Sequence, residues 1–197
     1  MQYTSGMQDK KNIKSIAKAF AGYTFRTTLK TEEGGRNLVI QAKDMSNNLI
    51  IDSSRLASIN YQSFKTNALL KENDVIISVR GKFRAGVYKG LQDNIIASSS
   101  VYILRLIDKK IYPEYLAIYL NSVVGQKEIS RSLTGGAIKT ILRKDLENIN
   151  VVIPDEKKQQ IIINLYKNNI AFQDKLNSKK LLVNNIMETA VSKILNK

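Results

Sequence analysis

The sequence predicts a mixed α/β domain, of the α+β kind, followed by one long C-terminal α-helix. Three observations carry that prediction. Short β-branched runs alternate with glycine- and asparagine-marked turns before residue 110. At Pro113 the hydrophobic pattern changes from runs to helical spacing. From Asp155 to Lys197 neither proline nor glycine occurs, and apolar residues recur every three, four or seven positions.

Taken in order, Met1–Lys11 is polar and is expected to fray as a flexible N-terminus. Ile13, Ile16, Ala17 and Phe20 fall at helical spacing and predict a helix of barely two turns. Gly22 and Tyr23-Thr-Phe25 mark a turn. Asn37–Ala42 reads as a short buried strand, Asn47-Asn48 as a turn and Leu49–Ile51 as a second strand. Asp74–Val79 is the clearest strand. It runs into Arg80-Gly81-Lys82-Phe83-Arg84-Ala85-Gly86, a basic loop bracketed by glycines, and Gly86–Gly90 is expected to close a hairpin. Val101–Ile107 is another strand. Pro113 and Glu114 suit the first turn of a helix, because proline lacks a donor that is unpaired there anyway and an acid suits the dipole. Tyr115, Leu116, Tyr119 and Leu120 line its face before Gly125. A second short helix holds Ile129 and Leu133 and ends at Gly135-Gly136; Ile149–Ile153 is a last strand, stopped by Pro154.

Asp155 can cap the final helix, with Glu156 in its first turn. Leu165, Phe172, Leu176, Val183, Ile186, Ala190 and Ile194 form one stripe. A helix of about 40 residues is about 60 Å long, too long to bury its stripe against one small domain. It calls for a partner helix, as in a coiled-coil-like dimer arm. The other reading is a helix broken at Asn168-Asn169 or Asn184-Asn185 that folds back on its own domain. The expected organisation is residues 1–11, a domain at 12–154 and an arm at 155–197.

Composition narrows the function. The chain has 197 residues, enough for one core, and contains no cysteine, histidine or tryptophan. Thiolate metal sites, cysteine nucleophiles and the Ser-His-Asp triad are excluded, and the commonest general base is missing. A binder or scaffold is expected rather than an enzyme. The formal charge is +14 and the pI about 9.8. Residues 1–154 hold 23 basic and 13 acidic groups, and residues 155–197 hold 8 and 4. Such an excess attracts polyanions, nucleic acid first and an anionic membrane surface second. No apolar run approaches the ~20 residues of a membrane span, and no signal-peptide core is seen, so a cytoplasmic protein is expected.

Gly81-Lys82-Phe83-Arg84-Ala85-Gly86 has the glycine spacing of a phosphate loop, but Val87-Tyr88 replaces the Lys-Ser/Thr pair, which argues against nucleotide hydrolysis. Lys82 and Arg84 on a glycine-flanked loop suit DNA phosphates or base edges; a plain basic hairpin turn is the other reading. Gly135–Lys144 combines flexible backbone with Lys139, Arg143 and Lys144, and Thr140 adds a hydroxyl; a solvated turn after a helix end is the alternative. Asp155-Glu156-Lys157 has the letters of a restriction-nuclease site, but the acids are contiguous at a helix start, where they serve capping. The 9 tyrosines and 5 phenylalanines are scattered, so no stacking platform for single strands is indicated.

The order of motifs is more informative than any one. Gly22-Tyr-Thr-Phe25 precedes Gln41-Ala-Lys-Asp44. Leu70-Lys-Glu-Asn-Asp74-Val-Ile-Ile-Ser-Val-Arg80-Gly81 follows. Ala97–Ser100 then leads into Val101–Leu106, and Pro113-Glu-Tyr-Leu-Ala-Ile-Tyr-Leu-Asn-Ser122 comes next. Gly136, Ile141, Leu146, Val152-Ile153-Pro154 and Gln159-x-x-Ile162 close the series. This order, over roughly residues 12–197, resembles the target-recognition domain and following helix of the specificity (S) subunit of Type I restriction–modification systems. The chain departs from the usual Pro-Pro-Leu-x-Glu-Gln lead-in to that helix, reading Pro154-Asp-Glu-Lys-Lys-Gln159.

The resemblance implies a non-catalytic subunit that reads double-stranded DNA and carries adenine-N6 methyltransferase (M) subunits. S-adenosylmethionine is then the methyltransferase's cofactor, and none is expected in this chain. A restriction (R) motor-nuclease subunit can join. A full S subunit has two recognition domains, so this chain looks like a half-length form that pairs with itself to read a split inverted repeat. Arg80, Lys82, Arg84, Lys89, Lys139, Arg143 and Lys144 are the expected DNA contacts, with Thr140 and Ser98, Ser99 and Ser100 nearby. The alternative is a decoy or scaffold fragment that occupies partner subunits through its arm without reading DNA.

Overall fold

The structure is a computed structural model and describes residues 9–46, 48–60, 66–90, 92–134 and 139–195. It is a mixed α/β domain with a long C-terminal helix. In chain order the domain begins with β1 (Asp9–Asn12), the single turn α1 (Ile13–Ile16), β2 (Ala17–Ala21), β3 (Asn37–Ile40) and β4 (Ala57–Ile59). There follow β5 (Val75–Ser78), β6 (Ala85–Val87), β7 (Ile95–Ala97) and β8 (Val101–Leu106). The remainder is α2 (Pro113–Asn121), α3 (Val123–Arg131), β9 (Leu133–Thr134), β10 (Thr140–Ile141), α4 (Arg143–Glu147), β11 (Asn150–Ile153) and α5 (Glu156–Leu195).

An antiparallel sheet in the order β2-β8-β5-β6 lies at the centre. The smaller sheet β4-β3-β7 pairs β3 with β7 in parallel. Strand β5 is buried throughout, and its period of two divides the core. Val75 and Ile77 join α2, Ile129, Val151 and Ile163 on one side; Ile76 joins Ile40, Ile95 and Ile103 on the other. The central sheet is therefore a middle layer, with helices on one face and the smaller sheet on the other. Burying each such side chain is worth about 1.5–3 kcal/mol before entropy is counted.

Several expectations need correction. Residues 1–8 lie outside the described residues, but Asp9–Lys11 do not fray. They pair with Val151–Ile153 in β11, and Lys11 donates to Asp108 at 3.1 Å. The helix expected over Ile13–Phe20 lasts one turn. From Ala17 the chain pairs with Leu106 in β8, because a free sheet edge outbids a helix too short to propagate. Leu49–Ile51 is no strand; Ile50 alone bridges Val87. Gly86 sits inside β6, so the hairpin turn is residues 79–84, ahead of the expected place. Gly125 lies inside α3, and Leu133 belongs to β9.

Pro113 occupies the first turn of α2, as its position in the sequence predicts. Helix α5 is unbroken at Asn168-Asn169 and Asn184-Asn185. Only its first part touches the domain, and the residues that do so differ from the predicted stripe. Ile163 is buried, and Ile162, Tyr166 and Ile170 pack against the helix-side core. Gln159, 1% exposed, accepts from the Tyr112 amide at 3.0 Å and donates to the Lys110 and Pro154 carbonyls at 3.0 and 2.9 Å. Leu165, Phe172, Leu176, Val183, Ile186, Ala190 and Ile194 are all exposed, as is every residue from 171 to 195. No helix among the described residues is long and apolar enough to cross a membrane.

Candidate nucleic-acid interface

Two basic segments sixty residues apart in sequence meet at one end of the central sheet. After β5 the chain turns back through residues 79–84, with Gly81 at φ +74°, a conformation glycine adopts without strain. The Ser78 hydroxyl donates to the Lys82 carbonyl at 2.6 Å and accepts from the Arg84 amide at 2.9 Å, closing the loop on itself. Arg80 then bridges Thr140 in antiparallel fashion. The Ile141 amide bonds the Val79 carbonyl at 3.0 Å, and the Gly81 amide bonds Lys139 at 3.2 Å. Thr140 also pairs with Thr134 across the β9–β10 hairpin. Arg80, Lys82 and Lys139 are exposed on this surface, and Arg84 is half-buried.

The turn 98–100 reaches the same end, where the Val79 amide bonds the Ser100 carbonyl at 3.0 Å. Two of its three hydroxyls are already engaged: Ser98 and Ser100 lie 2.7 Å apart, and Ser100 accepts from the Ala42 amide at 2.9 Å. Ser98 is buried and Ser99 is exposed.

Behind the loop, the junction of α2 and α3 grips β6. Asn121 accepts from the Ala85 amide at 2.8 Å and donates to its carbonyl at 2.7 Å. Gln126 donates to the Phe83 and Leu120 carbonyls at 2.8 and 2.7 Å. A cleft of about 400 Å³ runs beside the loop, lined by Lys82, Arg84, Asn121 and Gln126, with Ser46 and Tyr166 closing it. Its charged groups are cations, so it suits an anion.

Arg143 and Lys144 open α4, just past β10, and both are exposed. Arg143 pairs with Glu147 at 3.5 Å and also lines a second cleft, of about 500 Å³, with Arg26, Tyr23, Gly22 and Asn67. Lys89 is not part of the assembly. It follows β6 at the opposite end of the hairpin and is bonded to Asn73 at 3.1 Å and to Glu114 at 2.5 Å. Burial, the largest single influence, opposes ionisation of Glu114, but the Lys89 hydrogen bond, a backbone amide and the charges of Lys89 and Lys167 together outweigh it and hold the carboxyl below its ordinary range.

Arg26, Asn121, Gln126 and Tyr166 were not singled out from sequence. Two left a signal there: Asn121 falls within the Pro113–Ser122 motif, and Tyr166 stands four residues from both Ile162 and Ile170. Among the described residues no three histidine, cysteine, aspartate or glutamate side chains are grouped to hold a metal ion.

A family profile described as the Type I restriction modification DNA specificity domain matches residues 5–183. The chain belongs to that family. Solved structures share the fold. The Type I restriction-modification S subunit from M. genitalium matches at TM-score 0.56 and 17% identity, over 84% of this chain and 40% of that one. The HsdS subunit from Thermoanaerobacter tengcongensis matches at TM-score 0.58 and 16% identity, over 88% and 42%. A chain from a structure on complex assembly and conformational transition of the type I R-M system matches at TM-score 0.62 and 17% identity, over 87% and 41%. This chain thus spans about two fifths of the length of the solved chains it matches. No curated protein matches by sequence.

Proposed function

We propose that the chain is the DNA-reading unit of a Type I specificity subunit, acting as a non-catalytic adaptor. It pairs with a second copy through α5, reads a split inverted-repeat site in duplex DNA and positions adenine-N6 methyltransferase subunits on it. One observation carries the DNA reading: the Arg80–Thr140 bridge joins two cationic segments into one surface. Family membership and the net charge of +14 support it.

Lys82, Arg84, Lys139 and Lys144 contact phosphates, fixing register, while Arg80 and Thr140 read base edges. Arg143 extends the surface toward the second cleft. Lys89 holds Glu114 and takes no part. The exposed stripe on α5 supplies the pairing face: two arms of about 60 Å with partial overlap span half-sites one helical turn, about 34–36 Å, apart. The methyltransferases bring S-adenosylmethionine, and a motor-nuclease subunit joins where cleavage occurs. Such work is done on cytoplasmic DNA.

Two measurements test this. The native mass of the chain co-expressed with its neighbouring methyltransferase should correspond to two copies of each. Selection from random duplexes should return a split palindrome. A chain that joins the methyltransferase yet enriches no sequence would be a decoy fragment instead.

A further inference from the structure

The α2–α3 elbow is braced by side-chain hydrogen bonds to backbone on both sides of it, and it presents two apolar side chains to water. Asn121 makes both possible backbone bonds to Ala85, and Gln126 ties the Phe83 and Leu120 carbonyls together. The Ser122 hydroxyl donates to the Tyr119 carbonyl at 2.6 Å and accepts from the Gly125 amide at 3.1 Å. A Cβ on Gly125 would fall on the Tyr119 carbonyl oxygen, so only glycine permits so tight a bend. Between these fixed points stand Val123, 87% exposed, and Val124, 56% exposed. Large β-branched side chains facing water at a braced position are the arrangement expected of a preorganised contact.

The occupant follows from the surroundings. The elbow is bonded directly to the loop that carries Lys82 and Arg84, and one turn beyond the valines Lys127 is exposed on the same helix. An apolar pair with cations on the adjoining loop and helix, the nearby acid Glu128 being paired with Arg131 at 2.5 Å, matches the edge of a duplex, where the only large apolar group is the thymine methyl in the major groove. Insertion between stacked bases needs a longer side chain than valine.

Resting on the DNA-recognition reading above, we infer that Val123 and Val124 are specificity-determining residues that pack against thymine methyl groups, making the elbow a reader of A·T pairs beside the basic loop. The test uses the full chain with its methyltransferase and the duplex it selects. Each thymine of that duplex is replaced in turn by deoxyuridine, which removes only the methyl group. The wild-type complex should lose affinity about three- to ten-fold at one or two thymines of each half-site. The variant V123A/V124A should bind the thymine duplex as weakly as wild type binds the deoxyuridine one, and should lose nothing further on that replacement. V123T and V124T, which keep the shape and one methyl, should retain most of the discrimination. Equal deoxyuridine penalties in wild type and V123A/V124A overturn the assignment. So does loss of methyltransferase co-purification in that variant with DNA selectivity unchanged, which would make the elbow a protein contact. If wild type selects no sequence at all, the DNA-recognition reading itself fails and this assignment falls with it.

Discussion

Arg105 grips Asp74 through two parallel bonds, Nε to Oδ1 at 2.8 Å and Nη2 to Oδ2 at 2.7 Å. Asp74 is 1% exposed and also accepts the Lys71 amide at 2.7 Å. Arg105 further donates to the Leu69 carbonyl at 3.2 Å and lies over the Phe20 ring, 5.1 Å from its centroid. One ion pair therefore joins β2, β8 and the lead-in to β5. Removing the arginine leaves a buried carboxylate uncompensated, so R105A should cost about 3 kcal/mol in denaturant unfolding. R105K keeps the charge but loses the fork, and should recover only part of that.

The basic loop makes a graded prediction. If Lys82 and Arg84 each neutralise a phosphate, the slope of log affinity against log salt should shrink by about one for each residue changed to alanine. A wild-type domain with about five such contacts should show a slope near −4 to −5. K89A serves as the control, because Lys89 is spent on Glu114; it should leave the slope unchanged. Filter binding at several salt concentrations reads both.

For the arm, F172D combined with I186D places charges on the exposed stripe without touching the domain. Sedimentation should then show a monomer where wild type shows a dimer. The far-ultraviolet helix signal should fall as well, since a lone helix face in water gains little from propensity alone. Retained dimerisation would place the pairing face elsewhere on the chain.

Alkaline titration should expose Tyr115. Burial pushes its hydroxyl up to about 12, and the hydroxyl donates to the Val152 carbonyl at 2.5 Å. Above pH 10 the unfolded chain releases this proton while the folded one keeps it. The unfolded state then holds fewer protons, so stability falls as pH rises, by about 1.4 kcal/mol per unit from this group. The loss runs from about pH 10 to about 12. Y115F lacks the proton and should show a shallower decline than wild type over that window, measured by urea unfolding at each pH.

Legibility in the sequence tracked locality. Val75–Ser78, Val101–Leu106, the start of α2 and the unbroken α5 all follow from patterns contained in a dozen residues. Strand β2 was hidden because Ile13, Ile16, Ala17 and Phe20 fit a helix. What separates them is tertiary: Ile13, Ile16 and Ala17 pack on the helix side of the central sheet and Phe20 on the other. Strands β4 and β7 are three residues each, too short to show a period. The site was legible as composition but not as arrangement. Charge picked out residues 80–84 and 139–144, whereas their union through Arg80 and Thr140 is a non-local pairing that no spacing announces. Nor do Asn121 and Gln126 look, as letters, like the clamp they form. The arm's stripe is left unburied by its own domain, as the helix length predicts, while the residues that root it stand on a neighbouring face.

The rooting of α5 makes the arm a lever. Gln159 pins its start with three backbone bonds, packing side chains run on to Ile170, and Ala171 and Asp174 still line a cleft with Asn48, Leu49 and Ile50, so the free arm begins near residue 175. From there the free portion runs for about 30 Å at about 1.5 Å per residue, so a bend of about 10° where it leaves the domain sweeps its far end through about 5 Å. Along a duplex that is between one and two base-pair steps of about 3.4 Å each. In a paired assembly, tolerance for spacer length would thus be mechanical, set where the arm leaves the domain, whatever letters the two half-sites contain.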